Sequence, residues 1–276
     1  MNKQNIAIIG CGDYVSRWES GPISNSNRLQ VKSLFDLNKE KSKSLHQKIG
    51  GDIVDCADAI FEDPDISIVC IFVPPWVRKD LMIRTAISGK HIITTKPLAP
   101  NVADCQSIAD AIGDKVKCGV FYGRTGNGVI ENLKQIFDSG EIGKLSLYKQ
   151  DWLHHYPQWN DWATDPEKNG GPFMDAMIHN LNVARYLMGR KTTAATFFSD
   201  NHGRNDLKCN DTESMKIDFK ESGSAHLFIT WAADLEVFEL TGNAREHIDI
   251  WYMITDQGWR VTVDEVDGNP MINASR

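Results

Sequence analysis

The chain has 276 residues, enough for one large domain or two of medium size around a proper core. With 41% hydrophobic and 24% charged residues it has the composition of a soluble globular protein, and a formal net charge of -7 offers no basic face to phosphates, which excludes a nucleic-acid partner. No apolar run approaches the roughly 20 residues that span a bilayer, so no membrane-spanning helix is expected.

The opening "MNKQNIAIIGCG" does not read as a secretory leader, because glycines interrupt its apolar stretch at once. Six cysteines lie scattered without CxxC spacing and read as reduced, mostly buried thiols of a cytoplasmic protein. Short apolar runs then alternate with helical patterns, which predicts βαβ units on a parallel sheet. "NIAII" (5–9) is the first strand and runs into Gly10-Cys11-Gly12; "LQVKSLFD" (29–36) is the second and ends at Asp36. "ISIVCIFV" (66–73) is apolar throughout, as a strand covered on both faces should be, and Pro74-Pro75 stops it. A helical stretch follows, then the strand "HIITT" (91–95), Lys96-Pro97, helical spacing over 101–112 and the strand "VKCGVFYG" (116–123).

The second part has a different texture. It reads as a helix near 127–139, a strand over 145–153 and a helix from Pro172 to Met188. From residue 192 onward the strand-like runs "TAATFFS", "ESMKIDF", "SAHLFITW", "EVFELTG", "HIDIWYMI" and "WRVTVDE" follow one another, joined by turn signals such as Glu221-Ser222-Gly223 and Asp256-Gln257-Gly258. Strands in series without helices predict an open, mostly antiparallel sheet. The expected organisation is α/β: a Rossmann-type dinucleotide-binding domain over 1–122 and an α+β substrate-binding domain over 123–276. Phe228, Ile229, Trp231, Ile250 and Trp251 read as an exposed apolar face of that sheet that needs covering, by a homo-oligomer, dimer or tetramer, if the chain itself does not cover it.

Two stretches carry chemistry. In "IAIIGCGDYV" a glycine turn follows a buried strand, so its backbone can approach a pyrophosphate, with Val15 where a third glycine or alanine is usual. Asp36, ending the next strand, suits the ribose hydroxyls of NAD and would repel the 2′-phosphate of NADP. The alternative is a tight turn without a ligand. In "GGPFMDAMIHN" (170–180) Asp175 and His179 stand four apart behind a double glycine. Phe173, Met177, Leu181, Ala184 and Met188 form an apolar stripe; Asp175, His179, Asn182 and Tyr186 form a polar one, which on its own is the wet side of an ordinary helix. "DWLHHYPQWNDW" (151–162) offers His and Trp faces for a sugar ring, or a strand and loop packing on the sheet. Ligand type alone allows a metal at His154, His155, Asp175 and His179, but nothing fixes tetrahedral geometry and no metal is expected. Arg124 faces an anionic substrate group or a surface carboxylate, and His202, His226 and His247 read as structural.

"SGKHIITTKPLAPNVADC" (88–105), "FYGRTGNGVIENLKQIFDSGEIGKL" (121–145) and "GGPFMDAMIHN" together resemble the Gfo/Idh/MocA dehydrogenases, over most of residues 5 to 190. The resemblance implies that Lys96 sits beside a nicotinamide and shares a cleft between the domains with Asp175 and His179. It further implies NAD-dependent oxidoreduction at a hydroxyl or ketone of a sugar, cyclitol or related polyol. His179 would take the hydroxyl proton, Lys96 would stabilise the alkoxide and Asp175 would orient. On this reading Gly10, Gly12, Asp13, Tyr14, Asp36, Pro74, Thr95 and Lys96 hold the cofactor. Lys96, Arg124, His155, Trp162, Asp175 and His179 face the substrate. Thr95 stands where relatives carry a glutamate, Pro75 and Arg78 where they often carry asparagine and histidine, and Asn182 where aspartate is frequent. The chain is short for the family, which would leave out last strands or a closing helix. The departures at Thr95, Val15 and Asn182 and the short C-terminus motivate the alternative, a dinucleotide-binding sensor or scaffold without turnover.

Overall fold

The computed structural model describes residues 3–16, 20–154, 162–233 and 247–276, without the side chains of residues 154, 247 and 248. The chain divides into two compact units, Met1–Phe121 and Tyr122–Arg276.

The first unit is built on β1 (Gln4–Ile9), β2 (Leu29–Phe35), β3 (Asp52–Ile53), β4 (Ile68–Ile71), β5 (His91–Thr95) and β6 (Cys118–Phe121). They form one sheet in the order β3-β2-β1-β4-β5-β6, every pair parallel. The connections carry α1 (Ser20–Ser24), α2 (Lys39–Ile49), α3 (Asp58–Glu62), α4 (Arg78–Ile87) and α5 (Val102–Ile112). β1 is apolar because both of its faces are covered. Ile6 and Ile8 pack with Val15, Leu34 and Leu45 on one side, while Ala7 and Ile9 pack with Val69, Met82 and Ile108 on the other. Val15, the residue at the third turn position, is fully buried in the first of these clusters. Asparagines start two of the helices: Asn38 accepts from the Glu40 N–H at α2, and Asn101 from the Asp104 N–H at α5. The strand order reverses between β1 and β4, and at such a point the loops after the strands diverge and leave a crevice.

The second unit begins with α6 (Gly128–Ser139) and β7 (Leu145–His154). A π-helical turn, Phe173–Met177, leads into α7 (Ile178–Met188). β8 (Thr192–Asp200), β9 (Thr212–Phe219), β10 (Ser224–Thr230), β11 (His247–Thr255), β12 (Arg260–Val266) and β13 (Asn269–Ser275) complete it. The sheet order is β13-β12-β11-β7-β10-β9-β8; β7 and β10 are parallel and the other pairs antiparallel. α6 and α7 cover one face through Leu133, Phe137, Val183, Ala184 and Leu187, packed on Tyr148, Ile217, Leu227, Ile229 and Met253.

That packing corrects the reading of an exposed apolar face. Successive strand residues point to opposite sides. Ile229 and Trp231 are fully buried, and Trp251 packs against the helix-covered core. Phe228, half-buried, and Ile250, 52% exposed, have the opposite parity and face the other way. The five residues came from both faces of the sheet. The helix expected from Pro172 to Met188 is likewise not uniform, since its first turn is π. The expected strand over 236–242 lies outside the described residues. Among those described, no helix is long and apolar enough to cross a membrane. The cysteines are unbridged, with Cys11 and Cys70 buried, Cys105, Cys118 and Cys209 half-buried and Cys56 exposed.

Candidate active site

In the first unit the candidate residues gather at one edge of the sheet, because each follows the carboxyl end of a parallel strand. Gly10 and Gly12 follow β1, Asp36 follows β2, Pro74 comes just after β4, and Thr95 and Lys96 close β5. From β2 to β5 is three interstrand steps of about 4.8 Å. An extended dinucleotide laid across those strand ends would pass Asp36, the glycine turn, Pro74 and Lys96 in that order.

The local reasons are specific. Gly10 has φ +94° and lies so close to β4 that a Cβ would stand 2.7 Å from the Phe72 carbonyl carbon. Its N–H is taken by the Phe35 carbonyl at 2.9 Å. Gly12 is open by contrast, and a Cβ there would meet only Lys41 Nζ at 3.9 Å. Both oxygens of Asp36 accept backbone N–H groups, Oδ2 from Cys11 and Oδ1 from Asn38, each at 2.8 Å. The carboxylate therefore ties the glycine turn to the β2–α2 loop, and its remaining lone pairs suit two ribose hydroxyls. Tyr14 packs at a tilt against Phe72 with ring centroids 5.2 Å apart, and Asp13 is exposed. These features fit a dinucleotide: a turn with room above Gly12, a carboxylate held in place, and a lysine following β5. Lys41, absent from the sequence reading, adds a cation beside Gly12 that suits a phosphate.

Lys96 is half-buried and donates its N–H to the Phe121 carbonyl at 3.2 Å. Its peptide bond to Pro97 is cis. Around it lies Arg78, whose guanidinium binds Thr95, Pro97 and Val73. Burial pushes that guanidinium down to about 10.

In the second unit the polar stripe leading into and along α7 is half-buried and hydrogen-bonded within the unit. His179 Nδ1 donates to the Tyr122 carbonyl. One turn on, Asn182 Nδ2 donates to Thr125 Oγ1 at 3.3 Å, and Tyr186 OH donates to Glu131 at 2.9 Å. Because a carbonyl only accepts, Nδ1 carries the hydrogen and the basic lone pair of the neutral ring belongs to Nε2. Asp175, in the π turn, accepts from Asn169 Nδ2 at 3.2 Å, and Asn169 is 1% exposed. Glu213 on β9 takes the Phe173 N–H at 2.6 Å, at the start of the same turn, and the Ser199 hydroxyl at 3.2 Å. Burial raises its carboxyl from 4.5 to about 7. Asn169 and Glu213 escaped the sequence reading, since one is a loop residue six positions before Asp175 and the other comes from a strand 40 residues beyond Phe173.

Arg124 meets a carboxylate of the protein itself. Its Nη1 lies 3.6 Å from Asp249 Oδ2, and its guanidinium sits over the Trp152 ring, 4.9 Å from the centroid. Tyr148 OH donates to Gln150 Oε1 at 2.5 Å, and Gln150 Nε2 to Asp249 Oδ1 at 2.7 Å. Arg124, Gln150, Asp249 and Trp251 line a cavity of about 350 Å³ whose apolar side includes Ile130 and Val183. Gly123 also lines it, and a Cβ there would stand 3.8 Å from His179 Cε1. Trp162 packs instead in a small cluster with Ala163, Trp231 and Leu207. His155 lies outside the described residues. Among those described, no group of three His, Cys, Asp or Glu side chains could hold a metal. His202 is exposed, while burial lowers the half-buried His226.

Comparisons with known proteins divide the chain in the same way. Residues 4–123 match the model of an oxidoreductase family with an NAD-binding Rossmann fold, and residues 130–246 match the GFO/IDH/MocA C-terminal domain. The chain is similar to scyllo-inositol 2-dehydrogenase (NAD(+)) of Bacillus subtilis (strain 168), 32% identical over 146 residues, 52% of this chain and 41% of that protein. It is similar to levoglucosan dehydrogenase of Pseudarthrobacter phenanthrenivorans (strain DSM 18606 / JCM 16027 / LMG 23796 / Sphe3), 31% identical over 145 residues, 48% of this chain and 35% of that protein. Both matches span less than half of the relative's own length. A solved levoglucosan dehydrogenase in its apo form superposes with a TM-score of 0.81 at 18% identity, covering 100% of this chain and 80% of that one, which is a likeness of fold.

Proposed function

We propose, from the premise that the chain belongs to the Gfo/Idh/MocA oxidoreductase family and carries its NAD-binding Rossmann domain, that it transfers hydride between nicotinamide and a hydroxyl-bearing carbon of a sugar, cyclitol or related polyol. The observation that carries this reading is the contact of His179 Nδ1 with the Tyr122 carbonyl, which selects the ring tautomer. A ring whose Nδ1 hydrogen is committed to Tyr122 presents Nε2 as a base, which is what removal of a hydroxyl proton requires.

The bound cofactor would accept or return hydride at its nicotinamide carbon. The protein's own residues do the rest. Gly12 lets the turn's backbone approach the pyrophosphate, and Asp36 receives the ribose hydroxyls and disfavours a 2′-phosphate, so NAD is the preferred cofactor. Pro74, Thr95, Asp13 and Tyr14 border the same strand ends. His179 takes the hydroxyl proton at Nε2, Lys96 supplies a cation for the developing alkoxide, and Asp175, held by Asn169, orients the substrate hydroxyl. Arg124, beside Asp249, faces further hydroxyls. Paired planar amide, carboxylate and guanidinium groups beside an indole suit a polyol ring.

We also assign the protein to the cytoplasm, as its unbridged cysteines suit a reducing compartment, and to a homo-oligomer, which would cover Phe228 and Ile250 on the sheet face away from α6 and α7. The test is a fluorescence titration with NADH combined with a screen of inositols, aldoses and anhydrosugars followed by NAD reduction. Tight NADH binding with turnover on one of them is the expected result. Binding without turnover on any of them would overturn the enzymatic reading in favour of a dinucleotide-binding sensor or scaffold.

A further inference from the structure

Arg78 opens α4 and is 2% exposed, among the largest fully buried side chains of the molecule. Every partner shown for it is a neutral oxygen. Nη1 donates to the Thr95 carbonyl at 2.6 Å and to the Pro97 carbonyl. Nη2 donates to the Val73 carbonyl at 2.7 Å and to Thr95 Oγ1 at 3.3 Å. Nε is buried and has no partner, and among the described residues the guanidinium forms no ion pair.

Such a placement is expensive. A buried cation without a counter-ion loses its hydration and recovers only what its hydrogen bonds return. An aliphatic side chain would fill the space at less cost, so the reason for arginine lies in what its fork joins. The Val73 carbonyl belongs to the segment leaving β4, directly before Pro74. The Thr95 and Pro97 carbonyls lie on either side of Lys96, whose own N–H is held by Phe121 at the end of β6. One planar group thus fixes the peptide units flanking the lysine to the segment leaving the neighbouring strand. A lysine ammonium presents its donors from a single point and cannot reproduce that bridge.

We propose that Arg78 is the positioning residue for Lys96: its buried fork holds the Thr95–Pro97 backbone against the end of β4, so that the Lys96 ammonium is delivered to one place. The inference rests on the assignment of Lys96 to hydride-transfer chemistry. It goes beyond that assignment by naming the residue through which the fold enforces it.

The test is a double-mutant cycle in the full chain, Arg78→Lys with Lys96→Met, read as turnover of NAD with scyllo-inositol or whichever polyol the screen selects. Arg78→Lys alone should lower turnover at least tenfold, with NADH affinity changed less than threefold. In the Lys96→Met background it should cost less than twofold, because the group being positioned is already gone. Equal losses in both backgrounds would mean ordinary structural support and would overturn the inference. Hydrogen exchange followed by mass spectrometry gives a second readout that needs no substrate. The amides of Thr94, Thr95, Lys96 and Leu98 should exchange at least fivefold faster in Arg78→Lys, with β1 and α2 unchanged, and unaltered exchange at those four would also overturn the inference. Should Arg78→Lys fail to fold, Thr95→Val removes one acceptor with little change of volume. It should lower turnover two- to threefold, an effect absent when Lys96 is methionine, and a loss that persists there counts against the proposal. If Lys96→Met itself keeps the wild-type rate, the role of Lys96 fails, while the exchange result still decides whether Arg78 holds the loop.

Discussion

Two glycines two positions apart should separate folding from binding. Gly10→Ala adds a methyl group at φ +94°, where it meets Phe72 C at 2.7 Å, Phe72 O at 2.8 Å and Val73 Cγ1 at 2.9 Å. Left-handed backbone costs an L-residue about 1–2 kcal/mol, and forcing extra volume into a packed site costs about 1–3 kcal/mol more. The obstructing atoms are mostly backbone of the segment beyond β4, so the β1–β4 pairing has to move. The expected loss is about 3 kcal/mol, a large part of the roughly 5–15 kcal/mol that holds a domain together, and a fall in Tm of roughly 6–12 °C. Gly12→Ala meets only the flexible end of Lys41 at 3.9 Å, and its φ lies outside the left-handed region. Its melting temperature should stay within about 2 °C of wild type, the range of a neutral surface change. Its NADH affinity should nevertheless fall at least tenfold, since the methyl occupies the space through which the backbone approaches the pyrophosphate. Thermal melting by circular dichroism and NADH titration on both variants decide the matter. Wild-type NADH affinity in a folded Gly12→Ala protein would refute the placement of the pyrophosphate over this turn.

Three further outcomes follow from the same geometry. Lys96→Met keeps the stem and removes the ammonium, so turnover should fall by about two to three decades, on the order of 3 kcal/mol, with NADH binding changed only modestly; His179→Asn should act on the same step, and the double variant should lose less than the sum. Direct titration should show NAD bound more tightly than NADP, and Asp36→Asn should narrow the gap; equal affinities in the wild type would refute the role of Asp36, with Lys41 the cation responsible. Glu213 titrates near 7 in the folded chain against 4.5 ordinarily, so its proton is held more tightly when folded, and its contribution is complete below pH 4.5 and lost as pH rises through 7. Stability should fall by up to about 3 kcal/mol across that window, and chemical denaturation of Glu213→Gln should show this slope removed, whereas an unchanged slope would mean that Glu213 is ionised throughout.

The sheet of the first unit is legible because its strands are local: a run such as 66–73 announces a strand covered on both faces without reference to any partner. The α7 stripe was legible too, since Phe173, Met177, Ala184 and Met188 recur at helical spacing and are buried. Other features depend on contacts distant in the chain. Glu213 reaches the Phe173 N–H only because β9 runs past the π turn, and Asp249 meets Gln150 only through the β7–β11 register. The face assignment of Ile229 and Trp231 failed for a similar reason. Period two gives two sides to a strand, and apolar content alone does not choose between them. α2 and β13 give a weaker signal, because "KEKSKSLHQKI" is mostly polar and "NPMINAS" carries a proline at its second position.

What separates His179 from its neighbours on α7 is the kind of partner it has. Asn182 and Tyr186 meet side chains, Thr125 and Glu131, and such rungs hold a helix in register without leaving chemistry behind. His179 meets a backbone carbonyl, which can only accept. The bond therefore orients the ring and at the same time assigns its tautomer, so the one nitrogen able to take a proton is Nε2. A wet helix face would let both tautomers exchange in water. Asn182 takes part in the same arrangement: a neutral amide at this position keeps its contact with Thr125 and adds no second carboxylate to the stripe that already holds Asp175. The π turn has a matching consequence. By widening the helix before Ile178, it changes the angular offset between Asp175 and His179 from that of two residues four apart on a regular α-helix. Their mutual placement is therefore set by Asn169 and Glu213 as well as by spacing, and a change at either residue should disturb Asp175 without moving the Tyr122–His179 bond.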